Sequence, residues 1–172
     1  HPHVFGESEA ATAAEVLKQW DIIKVEQEGK KPKDSLLDQV SRSLPPLERA
    51  YKLQKKAAKV GFDWPDAAGV WDKVAEELAE AKDAYRAHAA GEGPGAAAEL
   101  EAELGDLLFS VVNICRFLGV DPGVALHGAN AKFAGRFKHV EKRMKASGET
   151  MEKGKLELMD RYWNEAKAAE RA

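Results

Sequence analysis

Residues 74–83 read VAEELAEAKD, and the way this stretch winds decides the fold. At about 100° per residue, Val70, Val74, Ala81 and Ala84 fall on one helical face, and Glu77 falls among them. Glu80 borders that face about 60° away, and Glu76 points further toward water. Ala, Glu and Lys favour helix over strand. A carboxylate, however, does not enter an apolar interior without a counter-charge or a metal. The stretch therefore predicts a helix with an acidic margin that needs a reason.

Outward from it, the same periodicity recurs and alternating strand patterns are missing, so the expected fold is all-α. Helices are expected over 9–28, 46–60, 67–90, 96–118, 122–146 and 156–169, with one short turn at 35–40. Pro46 opens the second of these helices and Gly61 closes it. GEGPG at 91–95 breaks the chain between the third and fourth. The 172 residues suffice for one sizeable core, with an arm over 1–43 and a helical domain over 44–172.

The net charge of −3 gives no overall basic field for nucleic acid. No apolar run approaches the ~20 residues of a membrane span. The lone Cys115 allows no intramolecular disulfide; it is expected as a small buried thiol and fits a reducing cytoplasm. HPHVFGES at 1–8 fits neither a signal nor a transit peptide. Without an initiator Met, the chain is expected to be a piece of a longer protein or a processed form.

ELGD at 103–106 repeats the anomaly of the opening stretch. Leu100, Leu104, Leu107, Val111 and Ile114 make the expected apolar face, Glu103 lies at its margin, and Asp106 is about 60° beyond. Two helices joined by a short glycine-rich turn pack as antiparallel neighbours. That pairing can bring Glu77, Glu80, Glu103 and Asp106 toward one seam. Four carboxylates in a seam repel; some protonate, or a divalent cation collects them. Oxygen-only donors favour Mg²⁺ or Mn²⁺ over zinc. A di-iron bundle is disfavoured, because no Glu stands three residues before any of the five His. The bland alternative is a solvated acidic face.

The helix over 122–146 carries Lys132 and Arg136 on one face with Ala125 and Ala129, beside Phe133, Phe137, Val140 and Met144. Small residues next to two cations leave room for a phosphate-bearing ligand, although an ordinary amphipathic helix reads the same way. His127 is expected to be structural, and His88 and His139 exposed. On the last helix Leu156, Met159, Trp163 and Ala166 are expected to face inward.

Three segments together resemble the MazG family of nucleoside triphosphate pyrophosphohydrolases: LERAYKLQKKAAKVGFDWPD, WDKVAEELAEAKDA, and the run from ELEAELGDLLFS through KFAGRFKHVEKRM to LELMDRYWNEAK. EExxE followed by ExxD is that family's metal-binding signature, here Glu76, Glu77, Glu80, Glu103 and Asp106. The resemblance implies an all-α fold, usually homodimeric, and Mg²⁺-dependent cleavage of a (d)NTP to (d)NMP and pyrophosphate. It implies Glu77, Glu80, Glu103 and Asp106 as metal ligands, with Glu77 or Glu80 as general base. It implies Lys132 and Arg136 as phosphate contacts and Trp163 near the nucleotide, with Lys73 and Lys56 as weaker members of the basic rim. HPHVFG resembles the end of the first module in two-module members, so residues 1–43 would be an inter-module segment. The expected role is nucleotide-pool sanitation in the cytoplasm. The alternative is a non-catalytic helical module that dimerises or docks a regulatory partner, with Phe109 as a contact.

Overall fold

The computed structural model describes residues 34–172. The helix expected over 9–28 lies outside the described residues. Among the described residues there is helix and no strand. Five α-helices follow one another: α1 Pro46–Lys59, α2 Ala67–Ala89, α3 Ala96–Phe117, α4 Pro122–Ala146 and α5 Leu156–Glu170. A 3-10 turn, Leu36–Gln39, precedes them, and a second, Lys153–Lys155, leads into α5.

The boundaries follow from local chemistry. Ser35 accepts a hydrogen bond from the Leu37 N–H, and its own N–H donates to the Asp38 carboxylate, which closes the first 3-10 turn. Pro46 sits at the start of α1, where its missing N–H costs nothing. Asp66 caps α2 by accepting from the Gly69 N–H at 3.2 Å. Gly69 also has a packing reason: a Cβ there would stand 2.7 Å from the Trp64 ring. Between α2 and α3, Gly91 and Gly93 take φ of 70° and 88°, a region side chains resist, and so reverse the chain in the six residues 90–95.

The chain divides into two compact units at Pro122 and Gly123. In the first, α2 packs along α3, α1 packs on α3, and the first 3-10 turn packs on α1. Val70, Ala81 and Ala84 of α2 are buried, as are Ala96, Val112 and Ile114 of α3. Gln54 of α1 is buried and donates to the Phe109 carbonyl at 2.9 Å. Arg116 of α3 forks onto Asp63 at 2.5 and 3.1 Å, tying the loop before α2 to the end of α3. In the second unit, Val140 and Met144 of α4 and Tyr162 of α5 form a small core, with Leu158, Met159 and Trp163 against it. The Tyr162 hydroxyl meets the Ser147 hydroxyl at 2.8 Å, which satisfies it at the core margin.

Several apolar residues lie elsewhere than expected. Leu104, Val111, Phe133, Phe137 and Leu156 are exposed, His127 is exposed, and Cys115 is only partly buried. Each unit is too small to bury every apolar stripe that its helices carry. Among the described residues no single helix is long and apolar enough to cross a membrane.

Candidate metal centre

Glu77 and Glu80 are three apart on α2, and Glu103 sits on α3 across the hairpin. The hairpin brings one carboxylate oxygen of each within 4.8 Å of the others. Glu77 is buried, Glu103 half-buried and Glu80 exposed, so the cluster opens from interior to solvent. Two of its oxygens, Glu77 Oε2 and Glu103 Oε2, are buried and have no hydrogen-bond partner. Burying a carboxylate oxygen without a hydrogen-bond partner costs free energy.

The charges press on one another. Glu77 pushes the Glu80 carboxyl above its ordinary value, and partial loss of water and the charges of Glu103 and Glu76 add to the push. Lys73 answers them: it contacts Glu77 at 2.7 Å and Glu76 at 3.6 Å, and Glu77 raises the Lys73 ammonium in return. Lys73 thus lies at the acidic cluster, on the buried member. Asp106 is exposed and contributes no atom to the close group. It sits about 60° around α3 from Glu103, on a side chain one methylene shorter.

The donor set is all carboxylate oxygen, and two of its atoms are buried and orphaned. That combination fits a hard divalent cation and fits zinc or a soft metal poorly. Glu77, Glu80 and Glu103 are the residues that would hold it.

In the second unit, Arg136 of α4 is already engaged. It forks onto the Glu170 carboxylate through Nε at 3.1 and 3.2 Å and Nη2 at 2.8 Å, and its guanidinium lies 5.6 Å from the Trp163 ring centre. Trp163 also meets Phe133 at 5.3 Å. Arg136 and Trp163 are therefore brought together, while Lys132, one turn earlier on α4, is exposed. Glu165 meets His139 at 3.1 Å and Arg143 at 3.2 Å. Lys56 belongs to α1. It donates to Gln39 at 2.7 Å and lines a cavity of ≈ 390 Å³ with Lys52, Lys55 and Lys59.

Sequence reasoning did not find Glu170. Its pairing spans 34 residues and depends on how α5 lies on α4, and no local motif carries that.

Residues 69–141, which hold all four expected carboxylates, match the family model of the MazG nucleotide pyrophosphohydrolase domain. The chain is 45% identical over 170 residues to the nucleoside triphosphate pyrophosphohydrolase of Escherichia coli K12, covering 99% of this chain and 63% of that protein. It is 42% identical over 170 residues to the nucleoside triphosphate pyrophosphohydrolase/pyrophosphatase MazG of Thermotoga maritima, covering 99% and 61%. It is 44% identical over 175 residues to the uncharacterized protein YabN of Bacillus subtilis, covering 99% and 34%. The chain thus spans under two thirds of the length of these relatives. The hairpin that gathers Glu77, Glu80 and Glu103 lies within the segment that matches the MazG nucleotide pyrophosphohydrolase domain.

Proposed function

We propose that this chain is a Mg²⁺-dependent nucleoside triphosphate pyrophosphohydrolase, converting a (d)NTP to a (d)NMP and pyrophosphate. The carrying observation is the convergence of three carboxylates with two buried, partnerless oxygens. Those oxygens need positive charge, and polyphosphate chemistry is where a carboxylate-held Mg²⁺ is used. Glu77, Glu80 and Glu103 hold the ion, and Asp106 joins them by the family pattern; Mn²⁺ is an acceptable substitute. When bound, the ion offsets the charge of the phosphate oxygens.

Glu80 is the exposed member of the three, so a water reaches it most directly. It takes the proton as the water oxygen attacks the α-phosphorus, with Glu77 the alternative base. The bond to the β-phosphate breaks, and Lys132 and Arg136 offset the charge on the departing pyrophosphate. Trp163 lies beside the nucleotide, and Lys73 orients Glu77. Residues 44–172 act as the catalytic module and 1–43 as the arm that precedes it. A role in nucleotide-pool sanitation implies a cytoplasmic setting.

The functional unit is a homodimer. Trp71, Leu78 and Tyr85 are exposed at seven-residue spacing on α2, and Leu104, Leu108 and Val111 are exposed in a matching stripe on α3. Contiguous apolar stripes of this kind mark an interface. Light scattering across protein concentration is expected to give twice the chain mass.

The deciding experiment measures pyrophosphate release from dNTPs with Mg²⁺, comparing the parent with Glu80→Ala and Asp106→Ala. Undiminished turnover in both variants rejects the site. The same apolar stripes favour a second reading, a non-catalytic dimerisation or docking module. The two readings separate by thermal shift: an enzyme gains stability from Mg²⁺ with a non-hydrolysable NTP, and an interaction module does not.

A further inference from the structure

We propose that Glu170 is a specificity-determining residue: it occupies the guanidinium of Arg136 as a stand-in for a substrate phosphate, so that only a highly charged phosphate chain displaces it. The inference rests on the reading of Arg136 as a phosphate contact.

The geometry is that of anion recognition. A carboxylate offers two coplanar oxygens, and the Arg136 fork takes both, Nε and Nη2 donating at 2.8–3.2 Å. A phosphate would use the same two donors. Arg136 is held in place meanwhile, its side chain 19% exposed and its face turned to Trp163. Glu170 is looser, 45% exposed on the last turn of α5, so it can swing to water without unpacking anything. Arg136, then Lys132 and Lys167, lie close enough to favour its charged form.

The consequence is selection by charge. Leaving Glu170 in place keeps the cationic group partly neutralised. A ligand carrying one phosphate gains little by replacing a carboxylate with a similar anion, whereas a triphosphate brings several further charges to Lys132 and Lys167 as well. The displaced Glu170 also returns when the product leaves, which limits retention of small phosphate products.

The test uses the full chain and Glu170→Gln, which keeps the shape and removes the charge. Glu170→Ala controls for side effects of the amide. Inorganic triphosphate and inorganic monophosphate are titrated calorimetrically, a readout that needs no turnover. The expected result is tighter binding of both anions in both variants. The gain is about tenfold for monophosphate and smaller for triphosphate, so selectivity between them narrows. Where the chain turns over a dNTP, KM falls severalfold and kcat stays within about twofold. Unchanged or weaker anion binding in the Glu170 variants overturns the proposal, because Glu170 then only orients Arg136. Arg136→Ala separates the two levels of failure. If it leaves triphosphate binding unchanged, the reading of Arg136 as a phosphate contact has failed, and the proposal with it. If it weakens binding while the Glu170 variants do not strengthen it, the proposal alone has failed.

Discussion

The acidic hairpin of the first unit and the basic helix of the second treat charge in opposite ways. On α2 and α3, three carboxylates crowd together with one lysine among them, and two of their oxygens have no partner. On α4, two guanidinium groups come with their counter-charges, Arg136 with Glu170 and Arg143 with Glu165, and the His139 ring also meets Glu165. The first arrangement is unfavourable until something arrives. The second is satisfied until something displaces its partner. An uncompensated cluster favours its ligand strongly but costs stability when empty; a compensated one costs nothing when empty and grades its ligands by how well they compete.

The contrast breaks most sharply at Glu80. Glu80→Ala is expected to lower pyrophosphate release by about 100-fold or more, since removing one ligand from a metal site disables charge compensation at the reacting phosphate. Circular dichroism should show the helices intact, as Glu80 is exposed. If turnover persists, the surplus of negative charge on the hairpin has no catalytic meaning.

Packing supplies the next largest effect. Met144 is fully buried in the small core of the second unit, and Met144→Ala is expected to cost about 2–5 kcal/mol by denaturant melting. Because that core holds the Arg136–Glu170 pair in register, the variant should also weaken anion binding. An effect on stability with none on binding would show that the pair needs no support from beneath.

A compensated pair exists in the first unit too, and it offers a control. Asp63→Asn is expected to cost about 1.5–3 kcal/mol, the range for hydrogen bonds to charged groups. The Arg116 guanidinium holds the Asp63 carboxyl below its ordinary value of 3.8. Its stabilisation is therefore present above that pH and is lost as pH falls through the lower folded value. An acid melt of the parent should show this loss below about pH 4, and Asp63→Asn should not.

Glu80 is expected to behave in the opposite sense, with the smallest effect. Its folded value is raised above 4.5, so its charge costs stability at neutral pH, and the cost disappears as pH falls below the ordinary value. In chelator at pH 7, Glu80→Gln should melt slightly higher than the parent. Added Mg²⁺ should reverse that order, because the parent binds it better. A lower melting temperature for Glu80→Gln in chelator would show that the cluster is not repulsive.

Most of this helical order is written locally. Pro46, Asp66, the GEGPG break, Gly119 and Pro122 each set a boundary through a backbone preference that acts within one turn. The convergence of Glu77, Glu80 and Glu103 was also legible, because a short hairpin leaves few ways to pair α2 and α3. What could not be read was which apolar residues find an interior. Leu104 and Val111 share a helical face with buried Ile114, yet both are exposed, because burial depends on how many layers pack against that face and not on the face itself. The pairing of Arg136 with Glu170 was hidden for a similar reason: both residues look like solvated charges until two distant helices are laid side by side. Asp106 remains the residue on which pattern and coordinates differ, and its substitution decides between them.

Gly69 carries one more implication. With the Trp64 ring pressed where a methyl group would stand, the indole and the first turn of α2 form a single fitted joint. Any residue larger than glycine would lever that ring outward and drag on the cap made by Asp66. Natural variation here should therefore be narrow, and a chain with alanine at 69 should bear a smaller ring at 64.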